Sequence, residues 1–269
     1  PTPGEGKTKI MYENELKVAL KAAEEASKLL RQGFQEAEKE VKDKKTGHVA
    51  DYVTKFDYAV QKAILDIITR HFPSHSLLSE EDRPIPNNST YQWIIDPLDG
   101  TTNFSRGIPN FATSIALAHK KEVVLGVIAL PYEKEIYWAT KNNPTRLNGK
   151  RIRVSQAQKL RSALVGISML RSVEAMQLGT KTFVKLIRAS IKPRVFGAVA
   201  ADLARLSSGK LDAIVFNHNK PWDIAAGMLL VKQAGGKVSS VKGQDLLRAE
   251  QLVASNAKLH PQILRLLRQ

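Results

Sequence analysis

Three short segments place acidic side chains beside residues that interrupt helices and strands. The middle segment, WIIDPLDGTTNF, runs from Trp93 to Phe104. In it an apolar strand leads to Asp96, and Asp99 follows three residues later, across a proline that fixes the backbone. Such a turn can direct both carboxylates to one point and expose the carbonyl of Leu98 between them. Hard oxygen ligands select Mg²⁺ or Mn²⁺ over zinc, so the segment indicates a divalent-cation site.

The residues that follow Asp99 are suited to holding an anion. Gly100, Thr101 and Thr102 offer backbone N–H groups and hydroxyls where a helix can begin, an arrangement that suits a phosphate. An acid pair, an exposed carbonyl and a phosphate cradle within seven residues favour metal-assisted phosphoryl chemistry. The alternative interpretation is an ordinary turn, because Asp, Pro and Gly favour turns for local reasons.

The other two acidic segments are SEED, at 79–82, and PWDIAAG, at 221–227. Each has a simple structural explanation when it is taken alone. SEED is typical of a solvated loop, and Asp223 can complement the dipole at the start of a helix, an effect worth about 0.3–1 kcal/mol. The occurrence of all three segments in one chain, in this order, favours a shared chemical role.

Together the three segments resemble the inositol monophosphatase family of lithium-sensitive, magnesium-dependent sugar phosphatases. The resemblance extends from about Asp51 to Gly236. It implies an α+β fold, a layered α-β-α-β-α sandwich of two α/β halves, and commonly a homodimer. It also implies a phosphomonoesterase that hydrolyses inositol monophosphate or a related sugar phosphate with two or three Mg²⁺ ions, Mn²⁺ being the alternative ion.

The same resemblance assigns metal ligands. It implies a first metal held by Glu80, Asp96 and the carbonyl of Leu98. A second metal would be held by Asp96, Asp99 and Asp223, and Glu80 would also touch a third.

The phosphate and the attacking water take a further set of residues from the resemblance. Gly100 and Thr101 would bind the phosphate through their backbone N–H groups. The hydroxyl of Thr101, paired with Asp57 of VTKFD, would help to activate the attacking water together with Glu80. Metal coordination can lower the pKa of water from about 15.7 to roughly 7, so no cysteine, serine or histidine nucleophile is needed.

Two positions depart from the inositol-specific pattern, and both lie in the leaving-group region. Phe216 stands where inositol-specific members carry a glutamate that contacts the sugar. The family's Gly-Ser-Ala-Ala-Leu-Asp segment begins here at Gly197 and has Ala198 at the serine position. The substrate therefore stays open, and a broad sugar phosphatase that includes fructose 1,6-bisphosphatase activity is an alternative. Gly197 is predicted to line the substrate in either case. In a fructose 1,6-bisphosphatase Arg194 would reach the second phosphate, unless Arg194 is an ordinary surface arginine.

Basic residues concentrate in one stretch of the chain. Forty-one Lys and Arg against 26 Asp and Glu give a net charge of +15, and residues 150–194 hold eleven of the basic residues but only one acid, Glu174. This stretch, the basic segment, is either a solvated face or a surface that attracts phosphorylated substrates or RNA. An RNA- or protein-binding regulator is therefore the competing function class. A bisphosphate nucleotidase is a third option, disfavoured by Asn103, where that branch typically carries another residue.

Hydrophobic periodicity predicts the elements that must position these residues. Helices are predicted over 11–40, 57–71, 172–189, 199–208 and 223–234. Strands are predicted over 93–95, 112–118, 123–130, 136–139, 163–167 and 211–216. The first four strands are separated by short turns and favour an antiparallel sheet, and residues 142–150 are predicted to form a loop.

The chain is predicted to form two halves. Residues 1–9 are expected to be a disordered leader, 10–149 an N-terminal half with most of the metal ligands, and 150–269 a C-terminal half that completes the site. The absence of cysteine excludes disulfides and thiolate zinc sites. No apolar run approaches the roughly 20 residues that span a bilayer. We therefore expect a cytoplasmic protein without a membrane partner.

Overall fold

Two β-sheets alternate with three layers of helices. The computed structural model describes residues 11–36, 41–43, 52–82, 85–168, 173–189, 191–217, 220–244, 246, 249 and 251–269. The helices are α1 (Glu13–Phe34), α2 (Lys55–His71), α3 (Thr101–Ser105), α4 (Val173–Arg188), α5 (Val199–Ser207), α6 (Pro221–Gln233) and α7 (His260–Arg268). A 3₁₀ turn covers Leu160–Ser162.

The strands form one large sheet, one smaller sheet and a short ribbon. The ribbon pairs β1 (Val41–Asp43) with β2 (Tyr52–Thr54). The large sheet contains, in spatial order, β3 (Ser76–Ser79), β4 (Tyr91–Asp99), β5 (Ala112–His119), β6 (Glu122–Leu130), β7 (Glu135–Thr140), β8 (Asn143–Leu147) and β9 (Lys150–Arg151). The smaller sheet has the order β11-β10-β12-β14-β13. Its strands are β10 (Leu164–Ile167), β11 (Lys192–Arg194), β12 (Ala213–Asn217), β13 (Gly236–Ser240) and β14 (Gln251–Asn256).

Four clusters of buried apolar side chains fill the spaces between five layers. One cluster joins α1 and α2 to the large sheet through residues such as Trp93 and Ile95. Ile94 points to the opposite face, where the second cluster packs α5 and α6, as the two-residue period of a strand requires. The other two clusters place α5 and α6 on one face of the smaller sheet and α4 and α7 on its other face. The predicted α-β-α-β-α order is confirmed.

Helix α6 lies between the two sheets, and its composition explains this position. Residues 224–231 carry no polar side chain, so the helix is apolar around its whole circumference and can lie in the interior. All eight residues are buried. Gly227 lets α5 approach, since a Cβ at that position would lie 2.4 Å from the Cβ of Leu203. Packing of this kind holds the first turn of α6, which carries Asp223, against the large sheet.

Most predicted elements are confirmed, with shifted ends. Strands β4 to β7 form the predicted antiparallel sheet. The predicted loop at 142–150 is wrong, because Asn143–Leu147 pairs with β7 as a strand. Helix α1 ends at Phe34 rather than at 40. The expected leader at 1–9 lies outside the described residues, and the division into halves at 150 stays a prediction.

Within the part of the chain that the structure describes, no helix combines the length and the apolar character that a bilayer crossing requires.

Candidate active site

A change of register in the large sheet positions two acids of β4. Asp96 is opposite Ser114, but Asp99 is opposite Ala112, so one extra residue is accommodated around Pro97. Residues three apart in a regular strand face opposite sides, and an inserted residue corrects this. Proline is tolerated at such a bulge because it has no N–H to contribute to the ladder.

Strand β3 delivers Glu80 to the same place. It runs parallel to β4 with Ser79 beside Ile95, so Glu80 emerges next to Asp96 at the carboxyl ends of the two strands. The backbone N–H of Glu80 donates to the carbonyl of Ile95 at 3.2 Å. A side-chain hydrogen bond joins Glu80 to Asp96.

Asp223 enters from the first turn of α6. The hydroxyl of Ser114 donates to the carbonyl of Trp222 at 3.2 Å and so ties the start of this helix to β5. Asp223 Oδ2 accepts the backbone N–H of Lys220 at 2.9 Å. The bond holds the carboxylate at the helix start, where it can complement the helix dipole, while its charge still acts on Asp96.

Negative charge therefore converges on Asp96. Burial is the largest cause of a pKa of Asp96 that lies well above its ordinary value. Three neighbouring carboxylates raise it further, and they belong to Glu80, Asp99 and Asp223. The charges of the other three acids in the predicted ligand set thus act on Asp96.

Asp99 has partners of its own at the start of α5. Its Oδ2 accepts the backbone N–H of Ala200 at 2.7 Å. Burial raises the pKa of Asp99 to about 7, and the charge of Asp202 adds to this, while the N–H groups of α5 oppose it. Among the described residues, no three Asp, Glu, His or Cys side chains are already gathered in a metal-holding arrangement. Asp99 and Asp223 instead direct a carboxylate oxygen to a backbone N–H group, that of Ala200 and that of Lys220.

Thr101 and Asp57 form the pair that the resemblance implied. Thr101 Oγ1 lies 3.0 Å from Asp57 Oδ1 and 3.0 Å from the carbonyl oxygen of Leu98. The other oxygen of Asp57 accepts the backbone N–H and the hydroxyl of Thr54, at 2.7 and 2.6 Å. Both members of the pair are buried, and Asp57 is held from two directions.

The turn at Gly100, which the resemblance assigns to phosphate binding, is closely packed against neighbouring segments of the chain. Gly100 has a φ of +88°, and a Cβ there would lie 2.9 Å from the carbonyl oxygen of Asn110. Glycine is therefore needed both for the conformation and for the space. Gly197 lies beside the same turn, since a Cβ on it would be 3.2 Å from Asn103 Nδ2. Thr102 is exposed on the first turn of α3.

Arg194 is placed differently from the other predicted residues. It is exposed on β11 at the edge of the smaller sheet, and its Nη1 donates to the carbonyls of Lys192 and Pro193 in its own strand. A role with a second phosphate stays a prediction.

Gln61 is a further residue beside the site, and the sequence patterns did not single it out. This side chain, on α2 one turn after Asp57, makes hydrogen bonds on both sides of Glu80. Its only sequence signal is a polar residue on the inward stripe of the helix, between Val60 and Ile64.

The metal-free protein should lose stability as the pH rises from about 4 to 7. Asp96 and Asp99 have raised pKa values, and burial also raises the pKa of Asp202 to about 7. The folded state therefore binds more protons than the unfolded state in this range, and the free energy of unfolding falls with increasing pH. Urea unfolding at pH 5 and pH 8, with a chelator present, measures the difference. A stability that increases over this range would contradict the arrangement.

The comparisons with known proteins identify the family. Residues 11–269 match the model of the inositol monophosphatase family. The chain belongs to this family. Inositol-1-monophosphatase of Caulobacter vibrioides is 35% identical over 258 residues, which cover 93% of this chain and 99% of that protein. A protein of Aquifex aeolicus named fructose-1,6-bisphosphatase/inositol-1-monophosphatase is 34% identical over 250 residues, covering 93% of each chain.

A solved structure agrees with this membership. The extragenic suppressor protein SuhB from Bartonella henselae has a TM-score of 0.90 and 32% identity, with coverage of 96% of this chain and 99% of that one. The chain is accordingly a phosphatase of the inositol monophosphatase family, and metal dependence is general in this family. Its substrate is a small phosphorylated molecule.

Proposed function

We propose that this inositol monophosphatase family member is a Mg²⁺-dependent phosphomonoesterase that acts on inositol monophosphate or a related sugar phosphate. The observation that carries the proposal is the convergence of Glu80, Asp99 and Asp223 on the buried Asp96. Four carboxylates, from β4, from α6 and from the residue after β3, repel one another, and cations would offset that repulsion.

The residues present fit Mg²⁺. The proposed ligands are carboxylates and one carbonyl, the oxygen donors that Mg²⁺ and Mn²⁺ prefer over softer ligands. Glu80, Asp96 and the Leu98 carbonyl would hold one ion, and Asp96, Asp99 and Asp223 a second, with Glu80 near a third. The ions, when bound, supply positive charge that acidifies water and stabilises the leaving oxygen.

The protein's own contribution to proton transfer centres on Thr101. Its hydroxyl donates to Asp57 Oδ1, so the Thr101 oxygen can accept a hydrogen bond from the attacking water. Asp57 is fixed by Thr54 and cannot rotate away without losing two hydrogen bonds. The backbone N–H groups of Gly100 and Thr101 would hold the phosphate during attack, with Thr102 at the rim.

The leaving group is expected to be bound without a carboxylate from β12. Phe216 is fully buried among apolar residues, and Asn217 Nδ2 donates to the carbonyl of Ser168. Neither side chain presents an acid to a sugar hydroxyl. This favours a broad preference among sugar phosphates over strict selection of inositol.

A phosphate-release panel with Mg²⁺ tests the proposed function. It compares inositol 1-phosphate, fructose 1,6-bisphosphate, histidinol phosphate and 3′-phosphoadenosine 5′-phosphate. We expect release from inositol 1-phosphate and at least one other sugar phosphate, and inhibition by Li⁺. Release from the nucleotide alone would favour the nucleotidase alternative. Release from none of the four would contradict the proposal.

If fructose 1,6-bisphosphate is hydrolysed, the Arg194→Gln variant should have a higher KM for fructose 1,6-bisphosphate and an unchanged KM for inositol 1-phosphate.

RNA binding is the second candidate function, and the basic segment favours it. Of the ten basic residues in this segment that the structure describes, nine are exposed, namely Lys150, Arg151, Arg153, Lys159, Arg161, Lys181, Arg188, Lys192 and Arg194. An affinity for RNA carried by these residues should fall steeply as salt increases, because each neutralised phosphate releases counterions. A filter-binding titration at about 50 and 200 mM salt measures this. The absence of binding at the lower salt would remove this candidate.

A homodimer and a cytoplasmic location complete the proposal. The homodimer is proposed because the resemblance to the inositol monophosphatase family implies one. Light scattering that gives twice the mass of one chain would support the dimer. The absence of cysteine supports a reducing compartment.

A further inference from the structure

A single buried amide spans the segment that carries Glu80. Gln61 lies on the inward face of α2 and is only 2% exposed. Its Oε1 accepts hydrogen bonds from the hydroxyl of Ser79 and, at 3.1 Å, from the backbone N–H of Glu81. Its Nε2 donates to Asp82 Oδ2 at 2.6 Å. Gln61 therefore contacts the residue before Glu80 and the two residues after it.

The chemistry of these contacts requires an amide. Ser79 and Glu81 present donors, whereas the carboxylate of Asp82 presents only acceptors. A side chain that satisfies both must combine an acceptor with a donor at one end, as glutamine and asparagine do. A glutamate at position 61 would face Asp82 with a second carboxylate.

The carboxylate of Glu80 lies among other acidic side chains, which repel it when they are ionised. Its carboxylate lies beside Asp96, which also feels the charges of Asp99 and Asp223. Repulsion among these groups would push the least constrained of them outward. Glu80 follows the last residue of β3, and apart from the bond of its backbone N–H to the carbonyl of Ile95 its position depends on contacts beyond the strand. The bonds of Gln61 supply such contacts on both sides.

We infer that Gln61 is a positioning residue that holds Glu80 in place for divalent-cation binding. The inference rests on the proposed function and extends it by one residue on a different element. Because α2 also carries Asp57 one turn earlier, a single helix face would position both the Thr101 pair and Glu80.

The test compares divalent-cation binding in three variants without substrate. Mn²⁺ is titrated calorimetrically into metal-free wild type, Gln61→Met, Gln61→Glu and the double variant Gln61→Glu/Asp82→Asn. Groups that orient metal ligands typically contribute about 10–100-fold to affinity, so Gln61→Met should bind Mn²⁺ at least about tenfold more weakly. The double variant keeps the net charge and restores a donor–acceptor pair with exchanged roles, so it should bind within about twofold of wild type.

Kinetics then separate positioning from general loss of structure. At saturating metal, Gln61→Met should show a lower kcat with an unchanged KM for inositol 1-phosphate, because Gln61 is buried and its bonds go to Ser79, Glu81 and Asp82 rather than to the residues proposed to bind phosphate. If Gln61→Met fails to fold, recovery of Mn²⁺ affinity in the double variant relative to Gln61→Glu decides the question. Wild-type Mn²⁺ affinity in Gln61→Met, or no recovery in the double variant, would overturn the inference.

The matched control is Lys62→Met. Lys62 is the next residue of α2, but it is exposed and pairs with Asp66 at 2.6 Å. Its loss should leave Mn²⁺ affinity within about twofold of wild type. A wild-type protein that neither binds Mn²⁺ nor releases phosphate would refute the proposed function itself. A functional wild type with an unaffected Gln61→Met variant would refute only the inference.

Discussion

Replacing Asp96 with asparagine should lower kcat by more than about a hundredfold. Asp96 is the carboxylate on which the charges of the other three acids converge, and both proposed ions share it. Groups that only orient a ligand contribute about 10–100-fold, so a shared ligand should exceed that range. Phosphate release from inositol 1-phosphate at saturating Mg²⁺ measures the effect.

The same substitution should not destabilise the metal-free fold. The backbone N–H of Leu98 donates to Asp96 Oδ1 at 3.0 Å, and the amide oxygen of an asparagine at this position can still accept that bond. The substitution also replaces a buried carboxyl group, whose ionisation is unfavourable beside three other acids, with a neutral amide, so the melting temperature without metal should stay the same or rise. Asp66→Asn, on the exposed side of α2, is the control and should retain activity. Full activity of Asp96→Asn would defeat the assignment.

Removing the hydroxyl of Thr101 should have the second largest effect. Thr101→Val keeps the shape of this buried side chain but loses the donor to Asp57 Oδ1 and to the Leu98 carbonyl. Proton transfer by a positioned group contributes roughly 10²–10⁴-fold, so kcat should fall by at least about a hundredfold. Steady-state kinetics at saturating Mg²⁺ provide the measurement.

Thr101→Ser is the matched control for this prediction. Serine retains a hydroxyl that can donate to Asp57, so most of the activity should return. If valine and serine at position 101 gave equal rates, the hydroxyl would have no part in activating water. A rate loss that accompanies a large drop in melting temperature for valine alone would instead assign Thr101 a packing role.

The local part of the site could be predicted from the sequence. The apolar run before Asp96, the proline and the return to Asp99 predict a strand with a turn at its end. The strand is confirmed, but β4 continues through Asp99 and has a bulge where the turn was predicted. The bulge around Pro97, which gives the two acids a common side, follows from the same residues. Spacing along one segment was sufficient here because all of these residues lie on one element.

The convergence of distant segments could not be predicted from spacing. Glu80 reaches Asp96 only because β3 pairs in parallel with β4, and β3 was not predicted at all. Asp223 arrives because α6 packs between two sheets. Pairing and layer packing are long-range events, and the resemblance to a family supplied what local patterns do not contain.

The missed elements have physical reasons. Strand β8, with the sequence NPTRL, is polar and contains proline, both of which weaken a strand pattern. It is stabilised by its partner β7 rather than by its own composition. Gln61 was missed because its contacts are with residues about 20 positions away, and nothing in the neighbouring sequence indicates them.

The most direct test of the central claim is a calorimetric titration of the metal-free protein with Mn²⁺, for wild type and for Asp96→Asn. If Glu80, Asp99 and Asp223 surround Asp96 to hold cations, wild type should bind at least two ions, and the variant should lose affinity at both sites because both share Asp96. Binding that is absent in wild type, or unchanged in the variant, would show that these four acids do not form a metal centre.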